Sequence, residues 1–514
     1  MSDPARIEPA RLARWRDAAI EDAHEAAVID VGSNSVRLVA YRIDGRAITP
    51  FLNEKVMAGL GRNMSASGKL SAEGAAQAFA ALRRFRMLLA ALGVEEVDAV
   101  ATAAVREASD GAEFVRRVER EIGFKLRVIS GAEEARLSAL GVLAGEPEAR
   151  GVVGDLGGSS LELIAVAPDG PGKGDTFPLG PLALMDEKFD ADRIAALADE
   201  ALAQSKVLSG KGDAFYAVGG AWRALGRIDI VLRNHPIGVL HHHEMTRAEA
   251  LKICDFVRKQ SRKSLERLED SAAKRADALP YAAVVLERVL KRGGFSRVIL
   301  SSYGLREGLL YEHLSPRSRA EHPLVAAAAS FGAPSRRARE FGASLEKWIA
   351  PLFESQPAVF ARARDRVLRA AAARLADLGA TLHPDQRDEL MFDLVLRAPF
   401  AAVNHPERTF LAAAIHHRYT KSAPINSAAY DRLLSEEQRT AAAALGAALR
   451  LGADISGRAQ SILEDFALTT ERGVLTLSYK ANRAHLVTDQ AAKRLEPLAA
   501  VLGLDRQIVS GLRR

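Results

Sequence analysis

Cysteine is almost absent from this chain of 514 residues, in which Cys254 is the only one. A lone cysteine excludes an intramolecular disulfide and a cysteine-rich zinc site, and it fits the reducing cytosol. The sequence also lacks the run of roughly 18 apolar residues that a membrane-spanning helix needs. Its first 26 residues mix arginines with acidic residues, which is untypical of a secretory leader or an acid-poor transit peptide. We therefore expect a cytoplasmic protein that is not inserted in a membrane.

Neither sign of charge dominates the whole chain, but the basic excess is unevenly placed. The net charge is +6, with 48% hydrophobic and 26% charged residues, a composition that excludes a disordered or collagen-like chain. Residues 315–514 contain 28 Lys and Arg against 21 Asp and Glu, whereas residues 1–314 contain 43 against 44. Such an excess can attract polyanions such as nucleic acid or long phosphate chains. Arginines on solvated helices would give the same count, so both interpretations stay open.

The order of apolar runs predicts an α/β protein followed by a helical part. From Ala26 short apolar runs alternate with amphipathic stretches, and a second series begins at Gly151. After Leu314 the strand pattern disappears until LTLSYK at Leu475, and the apolar period becomes that of a helix. Helices are predicted near 72–92, 111–122, 190–208 and 304–314, with a connector at Ser315–Pro323. The predicted domains are an extension over 1–25, α/β lobes over 26–135 and 136–314, and a mainly helical domain over 315–514.

An internal repeat relates the two α/β units. The run DVGSNSVRLVA begins at Asp30, and the run DLGGSSLELIA begins at Asp155, 125 residues later. The two runs carry Asp, Gly, Ser, Leu and Ala at matching positions, and each is typical of a strand, a tight turn and a strand. Such a duplication predicts two related lobes whose turns face one another across a central cleft.

The two turns have the composition of phosphate-binding loops. Glycine lacks the β-carbon that would keep an anion away from backbone amides, and serine and asparagine add neutral donors beside them. The candidate phosphate-binding residues are Gly32, Ser33, Asn34, Ser35, Gly157, Gly158, Ser159 and Ser160. One such turn is common in hairpins, but two copies at the same place in repeated units favour phosphate binding. The sequence has no Gly-x-x-x-x-Gly-Lys-Ser/Thr run, the usual loop of P-loop nucleotidases.

Each turn follows an aspartate, Asp30 in the first and Asp155 in the second. A bare carboxylate repels phosphate, so a pure anion site is an incomplete interpretation. Mg²⁺ binds through one or two carboxylates together with water and phosphate oxygens, which makes both aspartates candidate metal ligands. The alternative is that each aspartate only caps its own turn by accepting hydrogen bonds from nearby amides.

A third segment, VISGAEEARLSALGVL, predicts a strand, a turn at Gly131 and a helix with Glu133 and Glu134 in its first turn. Acidic residues often begin helices because they complement the helix dipole. Here the helix starts between two phosphate turns, where a carboxylate could deprotonate a water that attacks phosphorus. Arg106 lies in ATAAVREASDG after another apolar strand, and its guanidinium could bind a phosphate through two hydrogen bonds.

These segments resemble the exopolyphosphatase and guanosine pentaphosphate phosphatase (Ppx/GppA) family, part of the actin-like, sugar-kinase-like ATPase superfold. VIDVGSNSVRLVAYRI is similar to its first phosphate motif, VVGDLGGSSLELIAV to its second, and ISGAEEARL to the segment with the catalytic glutamate. ATAAVREASDG, YAVGGAWRAL and SSYGLREGLLYE match further blocks, in order, within residues 26–314. The resemblance implies two actin-like, ribonuclease H-like lobes with a central cleft, followed by a helical HD-like domain.

The resemblance also implies roles for individual residues. It makes Glu134 the general base that activates water. Asp155 and Glu162 fall on acidic positions linked to metal and water, Asp30 is the acid of the first turn, and Arg106 contacts phosphate. The implied cofactor is Mg²⁺, the implied substrate is inorganic polyphosphate or guanosine pentaphosphate, and a homodimer is expected.

Several positions depart from the family pattern. Ser159 stands where the second turn usually has a third glycine, and its β-carbon is expected to narrow the pocket. Ala221 and Trp222 stand where a small hydroxyl residue is commoner, which puts a nucleotide-base contact in doubt. Ala376 and Asp377 stand where the HD-like domain typically has a histidine and an acid, so its metal motif is degenerate. The other histidines of interest are interpreted as core or surface residues: His241, His242, His243, His405, His416 and His417.

The leading hypothesis is a Mg²⁺-dependent exopolyphosphatase that releases terminal orthophosphate by direct attack of water. A guanosine pentaphosphate 5′-phosphohydrolase is the nearest alternative, because the two turns and Glu134 would serve it equally. A phosphotransferase or kinase of the same superfold is a further alternative, although no sugar-binding insertion is recognisable. A non-enzymatic sensor of polyanions would require both lobes to be inactive, yet their acidic residues are intact.

Overall fold

The computed structural model of the protein describes residues 23–185, 189–208, 213–268, 273, 275–333, 335–425, 427–487 and 489–512. The predicted extension over 1–25 therefore lies almost entirely outside the described residues. The chain forms two compact units. The first comprises residues 24–43 and 48–320, and the second comprises the residues from 321 onward together with the short turn 44–47. The division at 320/321 falls inside the stretch proposed as a connector.

The first lobe is built on a five-stranded sheet. Its elements are β1 (His24–Val31), β2 (Val36–Asp44), β3 (Ala47–Val56), α1 (Met64–Ser67), α2 (Ala72–Leu92), β4 (Glu96–Ala101), α3 (Ala103–Glu107), α4 (Gly111–Ile122) and β5 (Leu126–Val128). The order across the sheet is β3-β2-β1-β4-β5, with β1 antiparallel to β2 and parallel to β4. Ile29, Leu38 and Phe85 are fully buried between this sheet and its helices. Helix α5 (Gly131–Gly145) follows β5.

The second lobe is built on a six-stranded sheet. Its elements are β6 (Gly151–Leu156), β7 (Leu161–Ala167), β8 (Gly170–Phe177), α6 (Pro181–Leu184), α7 (Ala191–Leu202), β9 (Ala214–Val218), α8 (Gly220–Leu232), β10 (Glu244–Thr246), α9 (Arg247–Arg258), α10 (Arg262–Leu268), α11 (Leu279–Gly293), β11 (Arg297–Leu300), α12 (Leu305–His313) and α13 (Pro316–Ala320). The order across the sheet is β10-β11-β9-β6-β7-β8. Strand β6 pairs antiparallel with β7 and parallel with β9.

The duplication predicted from the repeat is present in the topology. In each lobe the repeated run forms the first two strands, which pair as an antiparallel hairpin, and the first strand also pairs in parallel with the strand that follows a helical crossover. The order β3-β2-β1-β4-β5 corresponds to β8-β7-β6-β9-β11. Two lobes of the same construction therefore lie within the first compact unit, and the expected α/β fold class is confirmed.

Helix ends follow local sequence chemistry. The Ser71 side chain caps α2 by accepting a hydrogen bond from Gly74 at 3.2 Å, and Gly93 ends this helix in the left-handed conformation, with φ 72°. At the start of α9, the side chains of Thr246 and Glu249 cap each other's backbone amides. The capping residues thus fix the start of both helices and the end of α2.

The C-terminal unit is mainly helical, as predicted. Its elements are α14 (Pro323–Gly332), α15 (Arg336–Glu354), α16 (Arg362–Leu375), α17 (Arg387–Arg397), α18 (His405–His417), α19 (Ala428–Leu433), α20 (Glu436–Ser456), α21 (Gln460–Leu463), β12 (Phe466–Glu471), β13 (Val474–Tyr479), α22 (Asp489–Leu502) and β14 (Asp505–Ser510), with short 3₁₀ turns at Leu378–Thr381, Pro384–Gln386 and Ala481–Leu486. Only β13 was anticipated. The structure adds β12 and β14, which flank β13 in a three-stranded sheet.

Across the described residues, none of the helices combines the length and the apolar character that a bilayer crossing requires.

Candidate active site

The two glycine turns face each other. In the first turn the amide of Gly32 donates to the carbonyl of Ser35 at 3.0 Å, and in the second the amide of Gly157 donates to the carbonyl of Ser160 at 2.9 Å. A β-carbon added to Gly158 would lie only 3.2 Å from the β-carbon of Ser33. The turns thus approach to van der Waals distance, and larger side chains at Gly158 would push them apart.

A glycine-containing loop holds each turn in place. The amides of Gly59 and Gly61 donate to the carbonyls of Asn34 and Ser33, at 3.0 and 2.8 Å. Amides within residues 180–182 bind the carbonyls of the second turn in the same way. Because neither Gly59 nor Gly61 lines the cavity beside the turns, these bonds direct two carbonyls of the first turn away from any anion there.

Between the turns lies a cavity of about 220 Å³ that both lobes line. All eight candidate phosphate-binding residues line it, together with Asp30, Asp155 and Glu134. Five basic side chains also line the cavity: Arg37, Lys55, Arg223, Arg275 and Arg306. Acidic side chains, basic side chains and the backbone of the glycine turns therefore line the same cavity.

Glu134 is buried at this cavity, whereas Glu133 is not. Ser130 caps the start of helix α5, and its hydroxyl accepts a hydrogen bond from the amide of Glu133. The Glu133 side chain pairs with Arg136 at 3.1 Å and with Arg127 at 3.3 Å, and these contacts lower its pKa. Glu134 is only 8% exposed. Burial, and next the charge of Asp155, raise the pKa of Glu134 to about 8.

Arg106 lies beside Glu134 and does not line the cavity. Its Nη1 donates to the carbonyl of Ile129 at 2.9 Å and lies 3.4 Å from an oxygen of Glu134. The contact opposes the rise in the pKa of Glu134. The structure thus places Arg106 against the candidate base, while the predicted contact between Arg106 and phosphate stays a prediction.

Asp155 and Glu162 form an acidic pair in the second lobe. They stand directly opposite each other on β6 and β7, so their side chains share one face of the sheet. The hydroxyl of Ser138 donates to Asp155 at 2.5 Å, but burial still raises the pKa of Asp155. Burial, and next the charge of Glu134, raise the pKa of Glu162 well above its ordinary value, and nearby Ser160 offsets part of that rise. Neither carboxylate oxygen of Glu162 receives a well-formed hydrogen bond from the described residues.

The equivalent pair in the first lobe has opposite charges. Asp30 on β1 stands directly opposite Arg37 on β2. Arg37 therefore has the position in this lobe that Glu162 has in the second lobe. Arg306 approaches Asp30 to 3.9 Å, and Arg37 is oriented by Asn53 at 2.9 Å. Burial raises the pKa of Asp30, and both arginines oppose the rise.

The acids fit a hard divalent cation. Each of the four acids has a raised pKa: Glu134 and Glu162 are buried, whereas Asp30 and Asp155 are half-buried. The charges of other acids in this group contribute to the rise for Glu134, Asp155 and Glu162. Removing a charged carboxylate from water costs free energy unless a proton or a cation neutralises it. Oxygen ligands of this kind suit Mg²⁺. The residues present therefore fit the cation that the sequence predicts.

Sequence reasoning missed the five basic residues of the cavity. Arg37 and Arg306 lie inside quoted motifs, VRLVAYRI and SSYGLREGLL, and Arg223 lies in YAVGGAWRAL, but no role was assigned to them. Lys55 and Arg275 lie in segments without any motif. Five of the six motifs contain a basic residue, and three of them supply Arg37, Arg223 and Arg306 to the cavity.

Trp222, Asp377 and six histidines, which the sequence also singled out, are buried. Trp222 is fully buried and its ring nitrogen donates to the carbonyl of Ala282 at 3.0 Å, whereas Ala221 and Ser159 line the cavity. Asp377, the remaining acid of the degenerate HD motif, pairs with two arginines of its own unit, Arg337 and Arg458. The six histidines of interest are buried: His241, His242, His243, His405, His416 and His417.

A larger cavity, of about 630 Å³, lies in the C-terminal unit. Its walls include Phe353, Val359, Phe410 and Leu445, which offer mainly apolar surface. It contains neither the turns nor the acids described above, so its size does not make it the candidate site for phosphate chemistry.

Family models match both parts of the chain. The model described as the Ppx/GppA phosphatase family matches residues 39–316, and the model described as the C-terminal part of exopolyphosphatase matches residues 324–509. Among curated relatives, Exopolyphosphatase 1 of Mycobacterium leprae is 29% identical over 303 residues, which cover 56% of this chain and 88% of that protein. Exopolyphosphatase 1 of Mycobacterium tuberculosis is also 29% identical over 303 residues and is covered to 87%.

Solved structures resemble the α/β part of the chain. A crystal structure of the Ppx/GppA family member from Aquifex aeolicus superposes with a TM-score of 0.51 and 25% identity, covering 56% of this chain and 97% of that one. A crystal structure of an exopolyphosphatase from Cytophaga hutchinsonii gives a TM-score of 0.53 and 25% identity, with coverage of 57% and 98%. The two lobes thus have the actin-like fold of these structures.

Proposed function

Because the chain belongs to the Ppx/GppA phosphatase family, we propose that it is an exopolyphosphatase, which hydrolyses the terminal phosphoanhydride bond of inorganic polyphosphate with Mg²⁺. One observation carries the proposal: facing glycine turns enclose a cavity lined by three acids, one buried and two half-buried, and by five basic side chains. Cations and backbone amides can bind a chain of phosphates, while acids can activate water and hold a metal ion. The site thus contains groups that can bind phosphate and groups that can activate water, and a phosphate hydrolase needs both.

Glu134 is the base of the proposed mechanism. Its carboxylate takes a proton from water while the water oxygen bonds to the terminal phosphorus and the bridging P–O bond breaks. The electron pair of that bond leaves with the shortened chain, whose new terminal oxygen is stabilised by Arg37 and Arg306. Arg106 holds Glu134 in position. The products are orthophosphate and a chain one phosphate shorter.

Asp30 and Asp155 are the residues that would hold Mg²⁺, with Glu162 beside Asp155. When bound, the ion supplies charge neutralisation at phosphate oxygens and lowers the pKa of surrounding carboxyls. The chain's own contribution is to bury these acids wholly or in part, which raises their pKa and gives them a high affinity for positive charge. Guanosine pentaphosphate hydrolysis would use the same residues and is the alternative that the experiment must separate.

The test compares orthophosphate release from polyphosphate and from guanosine pentaphosphate at equal concentration, with and without a chelator. We expect faster release from polyphosphate, loss of activity with the chelator, and one oxygen of each released phosphate derived from ¹⁸O-labelled water. Transfer of phosphate to another acceptor, without label, would favour a kinase-like reaction. Faster release from guanosine pentaphosphate would contradict the proposed substrate.

A further inference from the structure

A further cavity, of about 260 Å³, lies in the C-terminal unit among three helices. Arg450 lines it from α20, Arg494 lines it from α22, and His417, the last residue of α18, lines it as well. A β-carbon at Gly446 would come 2.5 Å from the β-carbon of His417. Only glycine at this position of α20 lets the end of α18 lie so close, so the packing of these two helices fixes where His417 meets the cavity.

The charges around this cavity are of one sign. All of the charged side chains among the described residues that line it are basic: Lys421, Arg450 and Arg494. Asp454 does not line the cavity and pairs with Arg494 at 2.6 Å. Arg450 makes neither a hydrogen bond nor an ion pair with the described residues, and burial, and next the charge of Arg494, lower its pKa. Arg450 is therefore the group with which an anion in the cavity would pair.

His417 adds an unused polar group. Its side chain is buried, and its Nε2 has no hydrogen-bond partner among the described residues. Burial, and next the charge of His416, lower the pKa of His417 to about 4, so the ring is neutral at physiological pH. A hydrogen bond to the backbone of Thr420 opposes the fall in pKa, which is the effect of a ring N–H donated to a carbonyl. Since Nε2 is unpaired, Nδ1 is the donor, and the neutral ring offers Nε2 as an acceptor.

The cavity thus offers cationic donors together with one imidazole acceptor. Orthophosphate matches both, because at neutral pH it has negative oxygens and still keeps a hydroxyl hydrogen. Sulfate has the same shape without that hydrogen, and a phosphate monoester loses its second proton at a pKa of about 6. The volume lies below the roughly 300–1,000 Å³ of sites for drug-sized ligands, which favours a small ion. The other walls are mainly apolar: Ala443, Ala447, Pro497, Ala500 and Val501.

We propose that this cavity is a binding site for inorganic orthophosphate, in which Arg450 donates to an oxygen of the ion and the hydroxyl of the ion donates to Nε2 of His417. The residues that form the site all belong to the C-terminal unit, so the inference does not depend on the activity proposed for the α/β lobes. It assigns a ligand to the C-terminal unit, and that ligand is also the product of the proposed reaction.

The test measures binding of inorganic phosphate by calorimetry in the full-length protein at pH 8 and constant ionic strength. Arg450→Met removes one charge, and Lys493→Met is its control, because Lys493 is exposed, lies on α22 and does not line the cavity. We expect Arg450→Met to weaken phosphate binding about tenfold, the effect of one charge-assisted hydrogen bond. Lys493→Met should leave the affinity within about twofold of wild type, because salt screens exposed charges. Any phosphate that binds between the lobes binds equally in both variants.

Sulfate gives a probe of His417. At the site that Arg450→Met weakens, wild type should bind phosphate at least about tenfold more tightly than sulfate, because sulfate leaves Nε2 without a donor. His417→Leu should remove this preference. In phosphate-free buffer Arg450→Met should melt no lower than wild type, since Arg450 has no partner to lose, and added phosphate should raise the melting temperature of wild type more than that of the variant.

Two results would overturn the site: equal phosphate affinities for Arg450→Met and Lys493→Met, or sulfate bound as tightly as phosphate. If phosphate binds as expected but wild type releases no orthophosphate from polyphosphate, the site stands and the proposed function fails.

Discussion

Glu133 and Glu134 are neighbours in the chain with opposite surroundings. Arg136 and Arg127 lower the pKa of Glu133, whereas burial beside Asp155 raises that of Glu134 to about 8. The difference arises because consecutive residues of a helix point about 100° apart. One residue position thus separates a surface ion pair from a candidate base.

Activity on polyphosphate should rise with pH, because Glu134 accepts a proton only after it has lost its own. The pKa of Glu134 lies above its ordinary 4.5, at about 8, so kcat/KM should increase between pH 6 and pH 8, with bound Mg²⁺ shifting the midpoint downward. Glu134→Gln should lower activity at least about a hundredfold and abolish the rise. Glu133→Gln is the matched control and should retain both. A pH profile that is flat in wild type would contradict the role of Glu134.

Asp155→Asn should weaken the use of Mg²⁺, because the amide keeps an oxygen but loses the charge that attracts the ion. Titration of activity with Mg²⁺ should require at least about tenfold more metal for half-maximal rate. Asp169→Asn, at an exposed position, is the control. Superimposable titrations for Asp155→Asn and wild type would mean that Asp155 only caps its turn.

Glu162→Gln should stabilise the protein while it lowers activity. The folded state raises the pKa of Glu162, so the folded state holds this proton more tightly, and stability is lost as pH rises above the ordinary value of 4.5. With chelator at pH 8, the variant should unfold at a higher temperature than wild type. Its free energy of unfolding should be higher by on the order of 1 kcal/mol. Near pH 4 the difference should vanish. Glu148→Gln, an exposed control, should show no such pH dependence, and equal melting temperatures at pH 8 would refute the expectation.

At the scale of elements, the position of α5 depends on a close approach to α12. A β-carbon at Gly308 would come 1.8 Å from the carbonyl of Leu137, and one at Gly141 would come 2.0 Å from the carbonyl of Gly304. Only glycine allows the two backbones to lie this close. Because α5 carries Glu134 and Ser138, this contact sets where the candidate base and the Asp155 hydrogen bond lie.

Gly308→Ala should therefore displace α5 and cost both stability and activity. Overpacking of this kind costs typically about 1–3 kcal/mol, measured as the free energy of unfolding in urea, and kcat should fall more than KM rises. Gly238→Ala is the control, since a β-carbon there would meet no atom within 4 Å. If Gly308→Ala unfolds at the same urea concentration as Gly238→Ala, the helix contact does not position the site.

The sequence predicted helices and strands correctly where the period of apolar residues was clear. It failed where pairing with a neighbouring strand decides the structure. The helix over 72–92 and the repeated hairpins were predictable because their spacing and turn residues are local. Strand β14, DRQIVS, has no alternating pattern and becomes a strand by pairing in parallel with β13. Strand β12 was missed although Arg472 and Gly473, both at positive φ, form the two-residue turn that joins it to β13.

The same limit applies to the site. The glycines, Asp30, Asp155 and Glu162 were predictable because they stand within a few residues of each other in a repeated run, and Glu134 was predictable because it begins a helix between the two copies. Lys55 and Arg275 come from distant parts of the chain and converge only through the packing of the lobes. No local pattern distinguishes them from the other 69 basic residues among the 71 in the sequence.

At the scale of the whole molecule, the basic excess in residues 315–514 predicts how binding depends on salt. Net positive charge attracts a long polyanion more than a short one, and salt screens that attraction over about 10 Å at 0.1 M. The KM for long polyphosphate should therefore rise more steeply with salt than the KM for tripolyphosphate. The measurement is KM against NaCl concentration for both substrates. Equal slopes would mean that charges remote from the cavity do not contribute.

The two hairpins also give the site a direction. If both lobes carried the same residue opposite the turn aspartate, the two hairpins would present the same charges to a phosphate chain. Arg37 stands at that place in one lobe and Glu162 in the other. This reversal of charge makes the two repeats unlike at the cavity. In the proposed mechanism, water is activated on the acidic side and the departing chain is held by Arg37. The repeated hairpins enclose the cavity, and the unlike residues on their second strands give the proposed reaction a direction.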